Sequence, residues 1–244
     1  MSTYPAELYA AVHRGNPGDV DYYRRVCSGV DTALELGCGW GRIAHAVAAD
    51  GVDVMGLELD PDLRAMAPAG PATILAGDMR DFSLETRFDR VLIPYNGLYY
   101  LLDPAELVAC LRCARAHLAP GGLLVFDGYA ADAFHATDPG TGPDEDELGH
   151  VSTAGVDGRR FHVYEQSLWE PDRQRITARY VHVPEDGGPS VEAFVRQRYL
   201  LSAEVAPLLA QAGLELITLQ GGFDQSAFDP EDSEMLIAVA CSSS

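Results

Sequence analysis

Leu34-Glu35-Leu36-Gly37-Cys38-Gly39-Trp40-Gly41-Arg42 is the stretch on which the reading of this chain turns. An apolar run over residues 31–36 ends in three alternating glycines, and a helical pattern over 42–49 begins directly behind them. Glycine is needed where a backbone turns tightly and lets a ligand approach with no Cβ in the way. The exposed amides of such a turn, at the head of a helix, favour an anionic group such as a carboxylate. A dinucleotide loop of the form G-x-G-x-x-G/A uses only Gly39, Gly41 and Ala44, and leaves Gly37 and Glu35 without a role. The tighter spacing uses all three glycines and sets a carboxylate two residues before the first.

Outward from this turn, strand and helix patterns alternate. Strands are expected at 31–36, 52–57, 72–75, 87–93 and 121–126, and helices at 42–49, 62–67 and 104–118. That alternation predicts a parallel α/β sheet with its site at the strand C-termini. After Gly128 the pattern changes. Residues 138–149 are rich in Pro, Gly and acid and read as a solvated loop, and 160–169, 174–183 and 192–201 alternate like a three-stranded antiparallel meander. A helix at 203–211 and strands at 214–219 and 235–240 restore the α/β pattern. The expected architecture is therefore a Rossmann-like, doubly wound, mostly parallel seven-stranded sheet with an antiparallel meander inserted after the fifth strand. Residues 1–30 form an N-terminal helical segment, 31–128 and 202–244 the core, and 129–201 the acidic loop and insertion.

Composition removes several function classes. The 244 residues carry 17 Lys+Arg against 37 Asp+Glu, a formal charge of −20, so phosphate backbones and anionic lipid surfaces are repelled. All the cations are arginine, which excludes a lysine Schiff base and a lysine-containing phosphate loop. No signal-peptide pattern and no membrane-length apolar run is present, and the five cysteines fit a cytoplasmic, thiol-containing protein. Cys110-x-x-Cys113 lies on a helical pattern with no second pair, so packing is expected there and no metal site.

Two further acids follow strands. Glu58 ends Val54-Met55-Gly56-Leu57-Glu58, where a carboxylate can accept hydrogen bonds from both ribose hydroxyls. Gly77-Asp78-Met79-Arg80-Asp81 follows the third strand, Ile93-Pro94-Tyr95-Asn96-Gly97-Leu98-Tyr99-Tyr100 leaves the fourth, and Pro120-Gly121-Gly122 precedes the fifth. With these motifs the sequence resembles the class I S-adenosylmethionine-dependent methyltransferases, whose first motif has the form E/D-x-G-x-G-x-G. More loosely it resembles bacterial small-molecule members of that family that include aminosugar N,N-dimethyltransferases.

The resemblance implies S-adenosylmethionine as cofactor and S-adenosylhomocysteine as product. It places Glu35 near the ammonium of the cofactor and Gly37, Cys38, Gly39, Gly41 and Arg42 around its amino-acid end. Glu58 and Leu59 would meet the sugar, Asp78 the adenine amino group and Met79 the ring, with Pro94 and Tyr95 lining the cleft; from their place in the N-terminal segment, Tyr22 or Tyr23 is the candidate to reach the cofactor carboxylate. The N-terminal segment would act as a lid, and the insertion would line the acceptor site. For the acceptor side, Tyr9, Asn96 and Tyr99 are the substrate-binding candidates, and Tyr99, Asp127, Tyr129 and His162 the catalytic ones. The remaining histidines, His13 among them, have no motif context, and Tyr164, Trp169, Tyr180 and Tyr199 read as packing residues of the meander. The expected partner is a small molecule with a nitrogen or oxygen nucleophile, with nitrogen favoured; neither nucleic acid nor membrane is expected, and a homodimer is compatible with the chain. Competing readings are a peptide or protein methyltransferase, a non-catalytic cofactor-binding protein and a nicotinamide-dependent oxidoreductase.

Overall fold

The computed structural model describes residues 4–137 and 148–243. Two short helices, α1 (Ala6–Val12) and α2 (Asp19–Val26), precede the first strand. The core then alternates: β1 (Thr32–Leu36), α3 (Arg42–Ala48), β2 (Asp53–Glu58), α4 (Pro61–Ala65), β3 (Thr73–Ala76), β4 (Phe88–Ile93), α5 (Pro104–Ala116) and β5 (Leu118–Tyr129). A one-turn helix α6 (Asp132–His135) leads to β6 (Gly149–Val156), β7 (Arg159–Glu170), β8 (Arg175–Pro184) and β9 (Val191–Arg198), and α7 (Ser202–Gln211), β10 (Leu214–Gln220) and β11 (Met235–Ser242) complete the core.

The seven-stranded sheet has the order β10-β11-β5-β4-β1-β2-β3, parallel except for β11, which is antiparallel to both neighbours. The chain winds outward from β1 to β3 and then returns to β4 on the other side of β1. In open α/β sheets the crevice beyond the strand C-termini at such a switch is where ligands bind. Side-chain alternation covers both faces. Leu34, Leu36, Val91, Ile93, Leu124 and Phe126 join Leu107, Leu111, Val205 and Leu209 of α5 and α7. Ala33, Leu92 and Val125 join Tyr22, Tyr23, Ile43 and Val47 of α2 and α3 on the other face. Cys110 is buried in the first of these cores, and among the described residues no group of three or more ligating side chains could hold a metal.

Local signals start the helices. Asp60 caps α4 by accepting from the amides of Asp62 and Leu63, and Asp103 caps α5 through the amide of Ala105, each with proline at the first helical position. The N-terminal segment is fastened by a buried pair: the Arg42 guanidinium donates to both carboxylate oxygens of Asp19, at 2.8 and 2.6 Å. Helix α1 instead leans on the second sheet, where Tyr4, Tyr9, Ala11 and Val12 pack with Ala154, Val163, Ala178, Tyr180 and Val195.

Two expectations need correction. The meander has four strands, in the order β6-β7-β8-β9, where three were expected. β6 was missed because most of its residues are exposed and small or polar, so no alternation marks it. The expected loop at 138–149 falls outside the described residues up to 147, and Gly149 already belongs to β6. β5 is also longer than expected and runs through Pro120-Gly121-Gly122, with a register irregularity against β4 at Phe88/Arg90. No helix among the described residues is long and apolar enough to cross a membrane.

Gly128 sits at the end of β5, where a Cβ would come within 2.3 Å of the buried Tyr99 ring. Overpacking of this kind costs about 1–3 kcal/mol. Gly128→Ala is expected to lower Tm by several degrees in differential scanning calorimetry, and an unchanged Tm would mean that the ring yields without cost.

Candidate functional site

The three-glycine turn opens the switch-point crevice. Gly37 and Gly39 have φ of +69° and +56°, and a Cβ at either would meet nothing within 4 Å. The conformation disfavours other residues, and the vacant space in front of the backbone is the cleft itself. Gly37 and Cys38 donate their amides to the Leu57 carbonyl, at 2.8 and 3.0 Å. Gly39 N donates to Glu58 Oε2 at 2.8 Å, and Asp60 N to Glu58 Oε1 at 2.8 Å. The acid that ends β2 is thus bound to the turn that ends β1. A cleft of about 590 Å³ joins them.

Glu35 is the notable carboxylate of this cleft. It is buried in β1, and burial pushes its carboxyl up to about 8. One oxygen takes the Ala44 amide, while Oε2 has no partner. Leaving a buried acceptor unpaired is costly. An ammonium entering the cleft would complete it and favour its ionised form. The orphaned oxygen and the open space over Gly37 and Gly39 together fit the amino-acid end of S-adenosylmethionine.

Farther along, Glu58, Leu59, Asp78 and Met79 line the same wall. Leu59 is 60% exposed, an apolar surface ready to be covered by a ligand. Asp78 is gripped by the Arg80 guanidinium, whose hydrogen bonds hold its carboxyl below the usual range; Arg80 also pairs with Glu106. Trp40, Arg42, Pro94, Tyr95 and Tyr9 reach the cleft from the other side.

The wall after β4 is strained. Tyr95 and Asn96 are consecutive non-glycine residues with φ of +53° and +60°, a conformation that costs of order 1–3 kcal/mol per residue unless the surroundings impose it. β5 imposes it. Tyr95 N donates to both oxygens of Asp127, Asn96 N to the Asp127 carbonyl, and Asn96 Oδ1 accepts from Tyr129 N at 2.9 Å. Tyr23 of α2 adds a 2.5 Å hydrogen bond to Asp127 Oδ1. Burial raises the Asp127 carboxyl to about 6 against these donors.

A second pocket of about 300 Å³ adjoins the cleft and shares His13, Tyr95, Tyr100 and Val195 with it. The inner face of the meander contributes Glu165, Ser167, Tyr180 and Gln197, and the core contributes Asn96 and Tyr129. Ser167 Oγ donates to Glu165 Oε1 at 2.9 Å, and the Tyr180 hydroxyl also bonds to Glu165. Two buried polar atoms on this pocket have no partner, His13 Nε2 and Tyr129 Oη. Burial lowers the His13 imidazole to about 4, so it is neutral, with its ring against Tyr4, Tyr9 and Tyr180. Tyr9 and Tyr100 share a hydroxyl hydrogen bond of 2.9 Å at the rim.

Five anticipated site residues lie elsewhere. Gly41 lines neither cavity: it precedes α3 with φ of +82°, and a Cβ there would meet His45 and Ile74. Tyr22 is buried against Tyr23 and Phe223 and donates to Gln220, because α2 turns that face toward the sheet. Tyr99 spends its hydroxyl on the Tyr129 carbonyl beneath the pocket. Asp127 lies behind the Tyr95 turn, fully engaged, and does not line either cavity. His162 alternates to the other side of β7 from Val163 and Glu165, half-exposed and 3.5 Å from Glu185. In exchange the structure brings in His13, Glu165, Ser167, Tyr180 and Gln197. For Tyr180 packing was expected ahead of a substrate cage; it both packs and lines the pocket. Strand alternation from Val163 would have pointed Glu165 inward, an oddly polar residue on an apolar face; nothing local marks His13.

Residues 33–122 match the family described as a methyltransferase domain. The dTDP-3-amino-3,6-dideoxy-alpha-D-glucopyranose N,N-dimethyltransferase of Streptomyces fradiae is 29% identical over 236 residues, 89% of this chain and 86% of its own. The cypemycin N-terminal methyltransferase of a Streptomyces species is 25% identical over 231 residues, covering 85% and 82%. Among solved structures, the CcbJ methyltransferase of Streptomyces caelestis superposes with a TM-score of 0.78 at 25% identity over 99% of both chains.

Glu35 yields a two-part prediction. It ionises near 4.5 when unfolded and only near 8 when folded, so its contribution to stability is complete below pH 4.5 and is lost as pH rises toward 8. Glu35→Gln keeps an acceptor for the Ala44 amide and removes that penalty. Its Tm at pH 8 should exceed that of the wild type, while calorimetric binding of S-adenosylhomocysteine weakens by about tenfold or more. Unchanged binding would remove Glu35 from the ligand site.

Proposed function

We propose that this chain, whose residues 33–122 match the methyltransferase-domain family, is a class I S-adenosylmethionine-dependent methyltransferase that methylates the amino nitrogen of a small, sugar-sized acceptor. The observation that carries the reading is the junction of the two cavities, where the neutral, unpartnered Nε2 of His13 lies between the cofactor cleft and a pocket of about 300 Å³. That volume lies at the lower end of the ~300–1,000 Å³ typical of small-molecule sites. S-adenosylmethionine, when bound, supplies an electrophilic sulfonium methyl whose transfer is an in-line displacement, with the carbon–sulfur electron pair left on sulfur.

The residues of the chain hold and aim. Gly37 and Gly39 leave room for the amino-acid end of the cofactor, Glu35 takes its ammonium, Glu58 the ribose hydroxyls, and Asp78 and Met79 the base. Tyr95 and Tyr100 form the wall between the two cavities and set the angle at which the acceptor meets the cleft. Positioning of this kind can lower a barrier by roughly 7–11 kcal/mol in favourable cases. His13 Nε2 accepts the proton that the acceptor nitrogen gives up as its bond to carbon forms. Helix α1, seated on the meander, acts as the lid that keeps water from the junction, and the meander lines the acceptor side. The Streptomyces fradiae relative is named an N,N-dimethyltransferase, which supports nitrogen over oxygen.

A peptide acceptor is the second reading, because the cypemycin relative is named an N-terminal methyltransferase. Mass spectrometry of reactions with an aminoglycoside, a phenol, a carboxylic acid and a free-N-terminal peptide tests both. Mass gain on the aminoglycoside nitrogen is the expected result; gain only on the phenol or acid overturns the amine assignment, and gain only on the peptide favours the second reading. His13→Phe keeps the ring packing and removes Nε2. It should lower kcat by about tenfold to a hundredfold with S-adenosylhomocysteine affinity unchanged, whereas an unaltered kcat would free His13 from proton transfer.

A further inference from the structure

The acceptor pocket has one charge and no countercharge. Among the described residues twelve line it, and Glu165 is the only carboxylate of these; none of them is an arginine, and the chain has no lysine. Every element that faces the pocket agrees. His13, beyond α1, is neutral; the turn after β4 and strand β5 present Tyr95, Asn96, Tyr100 and Tyr129, with burial pushing the three phenols up; β8 presents Tyr180, whose phenol is likewise pushed up, and β9 presents Gln197. Glu165 takes hydrogen bonds from Ser167 and Tyr180 and is in no ion pair among the described residues. Of the two arginines that line the adjoining cleft, Arg42 is already bound through both its terminal nitrogens to Asp19, and Arg80 to Asp78 and Glu106.

A hydrogen-bonded carboxylate held on an otherwise uncharged sheet face, beside two buried polar atoms that lack partners, is a receptor for a cation with hydroxyl groups. The same field opposes an anion. The Streptomyces fradiae relative is named for an acceptor that carries a thymidine diphosphate, and two phosphates at this mouth would meet Glu165 with no guanidinium to neutralise them.

Resting on the N-methylation reading above, we propose that the acceptor of this chain is a cationic amine free of phosphate, anchored by Glu165, and not a nucleoside-diphosphate-linked aminosugar. Glu165 is the residue that sets this specificity: it draws the amine into the pocket as a cation, takes one proton from it so that the nitrogen lone pair is free to attack while His13 takes the proton released after the new bond forms, and turns away phosphorylated analogues.

Isothermal titration with the S-adenosylhomocysteine-loaded protein tests the proposal with three probes. They are methyl 3-amino-3,6-dideoxy-α-D-glucopyranoside, its 3-hydroxy counterpart, and the thymidine-diphosphate conjugate of the same aminosugar. The aminoglycoside should bind more tightly than the other two. Glu165→Gln should weaken the aminoglycoside by about tenfold or more and leave the hydroxy counterpart unchanged. Glu165→Arg should strengthen the diphosphate conjugate above its wild-type affinity. S-adenosylhomocysteine affinity reports folding of each variant. Tighter wild-type binding of the diphosphate conjugate, an aminoglycoside affinity indifferent to Glu165→Gln, or no aminoglycoside binding at millimolar concentration would each overturn the proposal. N-methylation of the diphosphate conjugate in a parallel assay would leave the broader amine reading standing while this one fails; a protein that takes no S-adenosylhomocysteine would undo both.

Discussion

Asp127 is where three parts of the molecule are tied together. Its carboxylate receives the Tyr23 hydroxyl from α2 and the Tyr95 amide from the turn after β4, while its own backbone belongs to β5. A buried acid of this kind is tolerated because each lone pair that matters has a donor. Its effect is to impose two successive left-handed residues, Tyr95 and Asn96, on a strand end that would otherwise relax. Those residues stand between the cofactor cleft and the second pocket. The shape of the site therefore descends from a group that lines neither cavity.

Acid is used throughout the site in distinct ways. Glu35 is buried with one oxygen open and is driven toward its neutral form; Glu58 is held to the glycine turn by a backbone amide; Asp78 is neutralised by Arg80; Glu165 is held by hydroxyls alone. The arginines that approach the cleft are spent on Asp19, Asp78 and Glu106. In a chain with a formal charge of −20 and no lysine, this arrangement leaves the cavities themselves without a free positive charge among their described linings.

Much of this was legible beforehand. The run 31–42 was readable as strand, glycine turn and helix because its signals are local: apolar alternation, glycines at left-handed positions and a helix pattern directly behind. The acids after β2 and β3 were legible for the same reason, each following an apolar strand at a site-facing end. β6 was not, since its exposed small residues carry no period. Tyr22, Tyr99, Asp127 and His162 were assigned to the site from proximity in sequence to site segments; the rotation of α2, the 3-10 turn at 97–100 and the alternation of β7 sent those side chains elsewhere.

From the sequence alone came the class of sheet, the cofactor loop and the acids that follow its strands, because each depends on backbone conformations that a few adjacent residues dictate. The acceptor side was decided only when α1, β5 and the meander met. His13 and Glu165 lie 152 positions apart in the chain and border one pocket. Their partial enclosure, and for His13 the neutrality that desolvation brings, arises from neighbours on other elements. Charge state and access are properties of a surrounding medium, and no stretch of residues contains its own surroundings.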